Sequence, residues 1–253
     1  MQHSDRDAPE FDQFAATYGE LLDDPLRNRF AKDHLHFHRR KWLVMQALLR
    51  RSGIDPGTKG WLDVGCGRGE LLELAGDRFA ESQGCDPSIG MLSGERSVKV
   101  TKQNSPVKLP FADGSMDIVT AVCIFHHVHG DERRLLMDEI ARVLCPEGLC
   151  FIFEHNPWNP ITRAIVGRCP VDVDAELLTA RQTRQLVVES RFRVVSTDYL
   201  LFLPESVFDR AASLENVLRK VPLGGQYCVV AKNQAHGEAV PSSRRSRSAP
   251  KSR

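Results

Sequence analysis

Apolar residues change their period several times along this chain, and each change marks a boundary between predicted elements. Between Phe11 and Arg51, the residues Leu26, Phe30, Trp42, Met45, Leu48 and Leu49 recur at spacings that build one apolar face, which predicts helix. Ser52-Gly53 and Pro56-Gly57 end it. Short apolar runs then alternate with helix-like segments: Trp61 to Val64 before Glu70 to Ala75, Gly84-Cys85 before Ile89 to Leu92, Ile118 to Phe125 before Glu132 to Leu144, and finally Leu149 to Phe153. Runs that are apolar on both faces belong to strands buried in a parallel sheet with helices on each side. Leu177 to Glu189 reads as a further helix, followed by strands over Phe192 to Leu203 and Tyr227 to Lys232. Gly224-Gly225 supplies a tight reversal before the last strand. The pattern is that of an α/β fold without internal repeats.

Charge narrows the classes of partner. The chain has 253 residues, 34 basic against 33 acidic, and 42% of its residues are hydrophobic, ample for one α/β core. So even a balance demands no polyanionic partner. The basicity gathers after His236, where Arg244, Arg245, Arg247, Lys251 and Arg253 face only Glu238. That stretch has too little apolar surface to offset its ordering entropy, so residues 234–253 are expected to be a disordered basic tail. Met1 to Glu10 lacks the cationic flank and apolar run of a secretory signal, and no apolar run approaches the roughly 20 residues of a membrane span. Seven scattered cysteines, an odd number with no C-x-x-C pair, fit a reducing compartment, and a cytoplasmic location is expected.

The most specific chemistry lies in Trp61-Leu-Asp63-Val-Gly65-Cys66-Gly67-Arg-Gly69-Glu70. A buried strand runs into three alternate glycines and then into a helix start, so a ligand can approach the backbone closely. Glu70 stands where a dinucleotide fingerprint places its third glycine against a pyrophosphate, and Asp63 adds a second negative charge at the strand end. Carboxylates there repel phosphate and suit a ligand with ammonium and sulfonium charges, such as S-adenosylmethionine. No G-K-[ST] follows, which excludes a P-loop. Asp86 lies 21 residues after Gly65, at the end of the next apolar run, placed to accept from both hydroxyls of a ribose. Asp86-Pro87-Ser88 also reads as a helix cap with proline in the first turn, and the two roles are compatible.

These residues resemble the class I S-adenosylmethionine-dependent methyltransferases, and within them the large group of small-molecule methyltransferases called type 11. The likeness runs from about Phe11 to Ala231. Asp63, Gly65, Cys66, Gly67 and Gly69 match the first cofactor motif, and Asp86, Pro87 and Met91 fall in the ribose and adenine motif. Leu109-Pro-Phe111 to Val119 resembles the stretch into the fourth strand, followed by Cys123 and by Phe125-His126-His127-Val128; Arg142 to Gly148 resembles the turn into the fifth. The resemblance implies a Rossmann-like three-layer sandwich around a mostly parallel seven-stranded sheet whose last strand is antiparallel. It also implies S-adenosylmethionine as cofactor, with Cys123 among its contacts. Where the family places an aspartate to hold the adenine amino group, this chain has Asn104-Ser105-Pro106, so Ser105 and Pro106 become the expected adenine contacts. Glu147 stands in place of a family glycine. Residues 1–52 are expected to cap the site and 53–233 to form the methyltransferase domain, with a lid insertion near 156–178.

Aligning nucleophile, methyl and sulfur for in-line displacement lowers a barrier by about 7–11 kcal/mol, and a base is needed only if the acceptor must lose a proton. His126, His127, His129, Glu154 and His155 all follow the carboxyl ends of strands, the edge where open α/β sheets bind ligands. His127 and His155 are the expected bases, a packed histidine being the alternative for each, and Glu154 is expected to orient a neighbour. Glu154-His-Asn-Pro-Trp-Asn-Pro160 lacks the second proline of the N-P-P-[YFW] loop of nucleic-acid methyltransferases and follows the wrong strand, so Trp158 is expected to line an acceptor pocket or to pack. His34, His36 and His38 alternate, and only the outer two share a helix face; a solvated face beside Arg39, Arg40 and Lys41 is expected, and no metal site. The expected acceptor is a small or medium-sized metabolite, methylated on oxygen, nitrogen or carbon. Three alternatives stand beside it: an RNA methyltransferase, supported by the basic tail alone; a cofactor-binding protein without catalysis; and a nicotinamide oxidoreductase, disfavoured by Glu70.

Overall fold

The structure is a computed structural model that describes residues 10–234; residues 1–9 and 235–253, and with them nearly all of the expected basic tail, lie outside the described residues. The single N-terminal helix expected from the apolar spacing is divided into a 3-10 turn, Glu10–Gln13, and helices α1 (Tyr18–Leu21), α2 (Pro25–Phe30) and α3 (Leu35–Arg51). Asp24 and Pro25 account for one break. The Asp24 carboxylate accepts from the amides of Leu26 and Arg27, and proline occupies the first turn, where it starts a helix and cannot continue one.

The sheet follows: β1 (Gly60–Val64), α4 (Glu70–Ala75), β2 (Glu81–Asp86), α5 (Ile89–Leu92), β3 (Lys99–Lys102), β4 (Met116–Val122), α6 (Glu132–Val143) and β5 (Leu144–His155). The second half supplies α7 (Pro160–Val166), α8 (Ala180–Glu189), β6 (Phe192–Leu200), α9 (Glu205–Leu218) and β7 (Gln226–Asn233). Seven strands lie in the order β3-β2-β1-β4-β5-β7-β6, with β7 antiparallel to both its neighbours and the other pairings parallel, so the expected fold class holds. Alternate strand residues feed two separate cores. Leu62, Val64, Cys150 and Ile152 pack on one face of the sheet with α6 and α8, whereas Trp61, Phe151 and Phe153 pack on the other with α3 and α4.

Three elements, β3, α7 and α9, have no counterpart in the apolar pattern. Strand β3 is a half-exposed Lys-Val-Thr-Lys at the sheet edge, and α9 buries only Glu215 among its own residues. Helix α9 overturns one expectation. His36, Arg40 and Lys41 of α3 are buried rather than solvated; for His36 and Arg40 this is the work of α9, since Phe208 packs against the His36 ring and lies 3.5 Å from the Arg40 guanidinium, with which Glu215 pairs. Glu215 also accepts from the amides of Phe202 and Leu203, at 2.8 and 2.9 Å, which fixes the entry to α9. No helix among the described residues is long and apolar enough to cross a membrane.

Candidate active site

The carboxyl ends of β1, β2, β4 and β5 open into one cavity of about 1140 Å³. A single small-molecule site spans roughly 300–1,000 Å³, so this space has room for two bound molecules. At one end lies the β1–α4 turn. Gly65 adopts φ +66°, and a Cβ there would collide with the Ile124 side chain, so only glycine fits. Asp86 organises this turn by accepting from the Gly67 amide at 2.9 Å through one oxygen and from the Ser88 amide at 2.8 Å through the other. Each oxygen keeps a further lone pair, so the cap leaves Asp86 free to accept from a ligand as well.

Burial raises the pKa of Asp86 against the pull of those two amides. Burial likewise pushes Asp63 up to about 7, with the nearby Asp86 adding to it and the Thr120 hydroxyl opposing it. Two buried carboxylates crowded together favour a ligand carrying positive charge and reject phosphate. The residues present therefore fit a sulfonium nucleoside. Cys66, Pro87, Met91, Ser105, Pro106 and Cys123 all line the same cavity. Gly69 does not; at φ +78° it turns the chain into α4 as its N-cap, which makes its place in the motif conformational. Gln103, unmarked by any sequence signal, lines the wall and donates to the Ser105 carbonyl at 2.6 Å.

Histidines and carboxylates form the other end. His126 Nδ1 lies 2.5 Å from Glu154 Oε2, and Glu154 Oε1 accepts from the Phe125 amide at 2.8 Å, so Glu154 orients a neighbour as expected. Asp172 Oδ1 lies 3.6 Å from His126 Nε2 and 3.4 Å from His127 Nε2. Burial opposes a charge on His126, but Glu154 and Asp172 outweigh it and lift its pKa to about 9. Burial and the charge on His126 push His155 the other way, down to about 4. Thus His155 is neutral at physiological pH, while the His127 ring packs edge-on against Phe11 with centroids 4.9 Å apart. Both expected bases line the cavity.

Residues 62–152 match the family model described as a methyltransferase domain. That stretch spans β1 to β5, including the glycine turn, Asp86 and the His126–His127 pair. Residues 62–152 are a methyltransferase domain. No curated protein matches the sequence. Among solved structures, a SAM-dependent methyltransferase from Thermotoga maritima is similar at 18% identity and TM-score 0.64, over 89% of this chain and 99% of that one. The methyltransferase solved in complex with the Trm112 methyltransferase activator of Haloferax volcanii is 20% identical at TM-score 0.61, over 89% and 98%. A SAM-dependent methyltransferase from Archaeoglobus fulgidus is 20% identical at TM-score 0.57, over 79% and 100%. At these identities the likeness speaks for the fold, and the methyltransferase domain itself is shown for residues 62–152.

Segments outside the matched stretch complete the walls of the cavity. Asp12 accepts from the Gly90 amide at 2.9 Å and from the Ser88 hydroxyl, and Arg68 donates to the Ala15 carbonyl at 2.9 Å, which together lay the N-terminal segment against the turn that holds Asp86. His34 and His38 reach the two oxygens of Glu70 at 3.2 and 3.1 Å, and the hydrogen bond from His38 holds Glu70 below the usual carboxylate range. Glu70 is therefore a tethered anion. Tyr18 and the buried Lys41 line the cavity from one side, and Thr162, Val171 and Asp172 from the other. Trp158 does not line it. Asn156 accepts from the Trp158 amide and donates to the carbonyls of Pro222 and Gly224, turning the chain so that the indole is 67% exposed.

Proposed function

We propose that this methyltransferase moves a methyl group from S-adenosylmethionine to a small or medium-sized metabolite seated among His126, His127 and His155. One observation carries the reading: the Asp63–Asp86 end and the histidine end belong to one continuous cavity, large enough for donor and acceptor together. When bound, the donor supplies a methyl group activated by its positive sulfur. Asp86 holds the ribose hydroxyls, the backbone from Gly65 to Gly67 lies along the ligand, and Asp63 offers negative charge to its cationic part. Pro87, Met91, Ser105 and Pro106 enclose the adenine, and Cys123, just after β4, is a further contact for the cofactor.

At the far end, Glu154 and Asp172 keep His126 charged and fixed, and this leaves His127 and His155 to face the acceptor. A neutral imidazole beside the acceptor can take up its proton as the new bond forms. Residues 10–52, the described part of the expected cap, act as the cap and 156–178 as the lid, a role supported by the cavity walls that Tyr18, Lys41, Thr162 and Val171 contribute. Walls closing over the acceptor end favour a compact metabolite over a polynucleotide strand. All seven cysteines are unpaired, in keeping with a cytoplasmic location.

The test is direct. The purified chain is incubated with labelled S-adenosylmethionine and an extract of its source cells, and labelled products are identified by mass spectrometry. A labelled compound of low molecular mass is the expected result. Label confined to RNA, or no label in any fraction, would overturn the reading.

A further inference from the structure

The acceptor end holds an arrangement that proton transfer alone does not require. His126 and His127 lie in the turn after β4, and Asp172 ends the 3-10 turn Pro170–Asp172 that follows α7. The two turns are pinned together, since the Glu176 amide donates to the His126 carbonyl at 2.8 Å and Arg133 bonds the carbonyls of both Phe125 and Glu176. This fixed backbone brings Asp172 Oδ1 to 3.6 Å from His126 Nε2 and 3.4 Å from His127 Nε2, and the three ligand-type atoms all lie within 4.8 Å of one another. Nitrogen and oxygen donors bound at about 2.0–2.2 Å to one tetrahedral ion sit roughly 3.4 Å apart, close to this spacing. The outer contacts agree as well. A ligating imidazole commonly gives its other ring N–H to a carboxylate, and Glu154 stands at His126 Nδ1 while itself held by the Phe125 amide.

We propose that His126, His127 and Asp172 form a binding site for a divalent transition metal at the acceptor end of the cavity. Two imidazoles with one carboxylate suit Zn²⁺, Fe²⁺, Co²⁺ or Ni²⁺ and discriminate against Mg²⁺ and Ca²⁺, which prefer all-oxygen sites. Three protein ligands opening into a cavity leave a coordination position free, the arrangement of a catalytic rather than a structural ion. The role of the ion rests on the methyl-transfer reading. It selects an acceptor bearing a hydroxyl or similar oxygen, whose lone pair it holds while lowering the pKa of the group. The O–H bond breaks, its proton passing to His155 or solvent; the oxygen–methyl bond forms as the carbon–sulfur bond breaks, and the neutral thioether leaves. With the ion bound, His126 has given up its Nε2 proton to solvent and keeps only the Nδ1–H on Glu154; His127 holds the ion, and His155 is the remaining proton acceptor.

The test measures metal alone, without donor or acceptor, so its failure leaves methyl transfer standing. The full chain is stripped with a chelator and titrated with Zn²⁺ against a chromophoric competitor, and Co²⁺ loading is followed by visible absorption. One equivalent is expected, unmoved by excess Mg²⁺. Glu154→Gln weakens it by roughly 10–100-fold, and His127→Gln and Asp172→Asn weaken it further; His34→Ala, which touches the other histidine cluster, leaves it unchanged. Each variant is first checked by thermal melting, and the wild-type stoichiometry is decisive even if one fails to fold. No Zn²⁺ uptake by the wild type, full affinity in Asp172→Asn, or loss of the site in His34→Ala would overturn the proposal.

Discussion

The two ends of the cavity are built by different means. At the Asp63–Asp86 end, the cavity faces backbone that is shaped by consecutive residues: a glycine turn at positive φ, an aspartate holding that turn by two amides, and a short helix behind it. The histidine end is assembled from side chains delivered by distant segments, among them Phe11, Lys41, His126, His155 and Asp172. Local geometry persists when the surroundings change, whereas a side-chain cluster depends on every segment that feeds it. A shared donor at the first end and a variable acceptor at the second is the division of labour such construction permits.

Variants should separate the ends. His127→Gln is expected to reduce kcat by roughly 10²–10⁴-fold, since the ring acts at the acceptor end either on the proton itself or through the ion it holds, with the dissociation constant for S-adenosylmethionine unchanged by calorimetry. Parallel losses in both would join what we treat as two sites. Asp86→Ala does the opposite: cofactor binding weakens by about 1–3 kcal/mol, since charged hydrogen bonds to the ribose are lost. Equal affinity of mutant and wild type would remove Asp86 from the site.

Proton linkage sharpens the contrast further. Asp63 titrates near 7 in the free chain, and a cationic ligand favours its charged form, so binding should release a proton. Affinity for the cofactor then falls as pH drops below about 7, by up to about tenfold per unit, and the flat profile expected of Asp63→Asn is the control. His155 acts on stability instead. Its folded pKa of about 4 lies below the ordinary 6.5, so the unfolded chain binds more protons between these values, and stability is lost as pH falls through that window. Melting curves of His155→Gln should lack this slope. The smallest effect concerns Glu147, held at φ +67° and paired with Lys232. Left-handed backbone costs a non-glycine residue about 1–2 kcal/mol and an exposed ion pair returns about 0–1, so Glu147→Gly should raise Tm by about 2 °C. A fall in Tm would show that the ion pair to Lys232 outweighs the backbone strain.

The same division explains what the sequence disclosed. Buried strands β1, β4, β5 and β7 are continuous apolar runs, and the glycine turn with Asp86 is encoded in neighbouring residues, so both were legible. Strand β2 announced itself only at Gly84-Cys85, because Glu81, Ser82 and Gln83 carry no apolar mark. Helix α9 covers α3 through Arg40, Phe208 and Glu215, an ion pair and a cation–π contact to which apolar periodicity is blind. Its absence from the pattern made the buried face of α3 read as solvated. Asp172 sits in an irregular turn, and its meeting with His126 and His127 depends on the Glu176–His126 backbone bond. No spacing along the chain encodes that meeting. Glu147 is the reverse case: the family glycine it replaces corresponds to a left-handed position, visible only once φ is known.

Both ends acquire their roles only if a sulfonium nucleoside occupies the turn from Gly65 to Gly67 under Asp63 and Asp86. Isothermal titration of the full chain with S-adenosylmethionine and with its demethylated product tests this most directly. Single-site binding of both, weakened by Asp86→Ala, is the predicted result. Titrations showing that neither molecule binds the wild-type chain would contradict it.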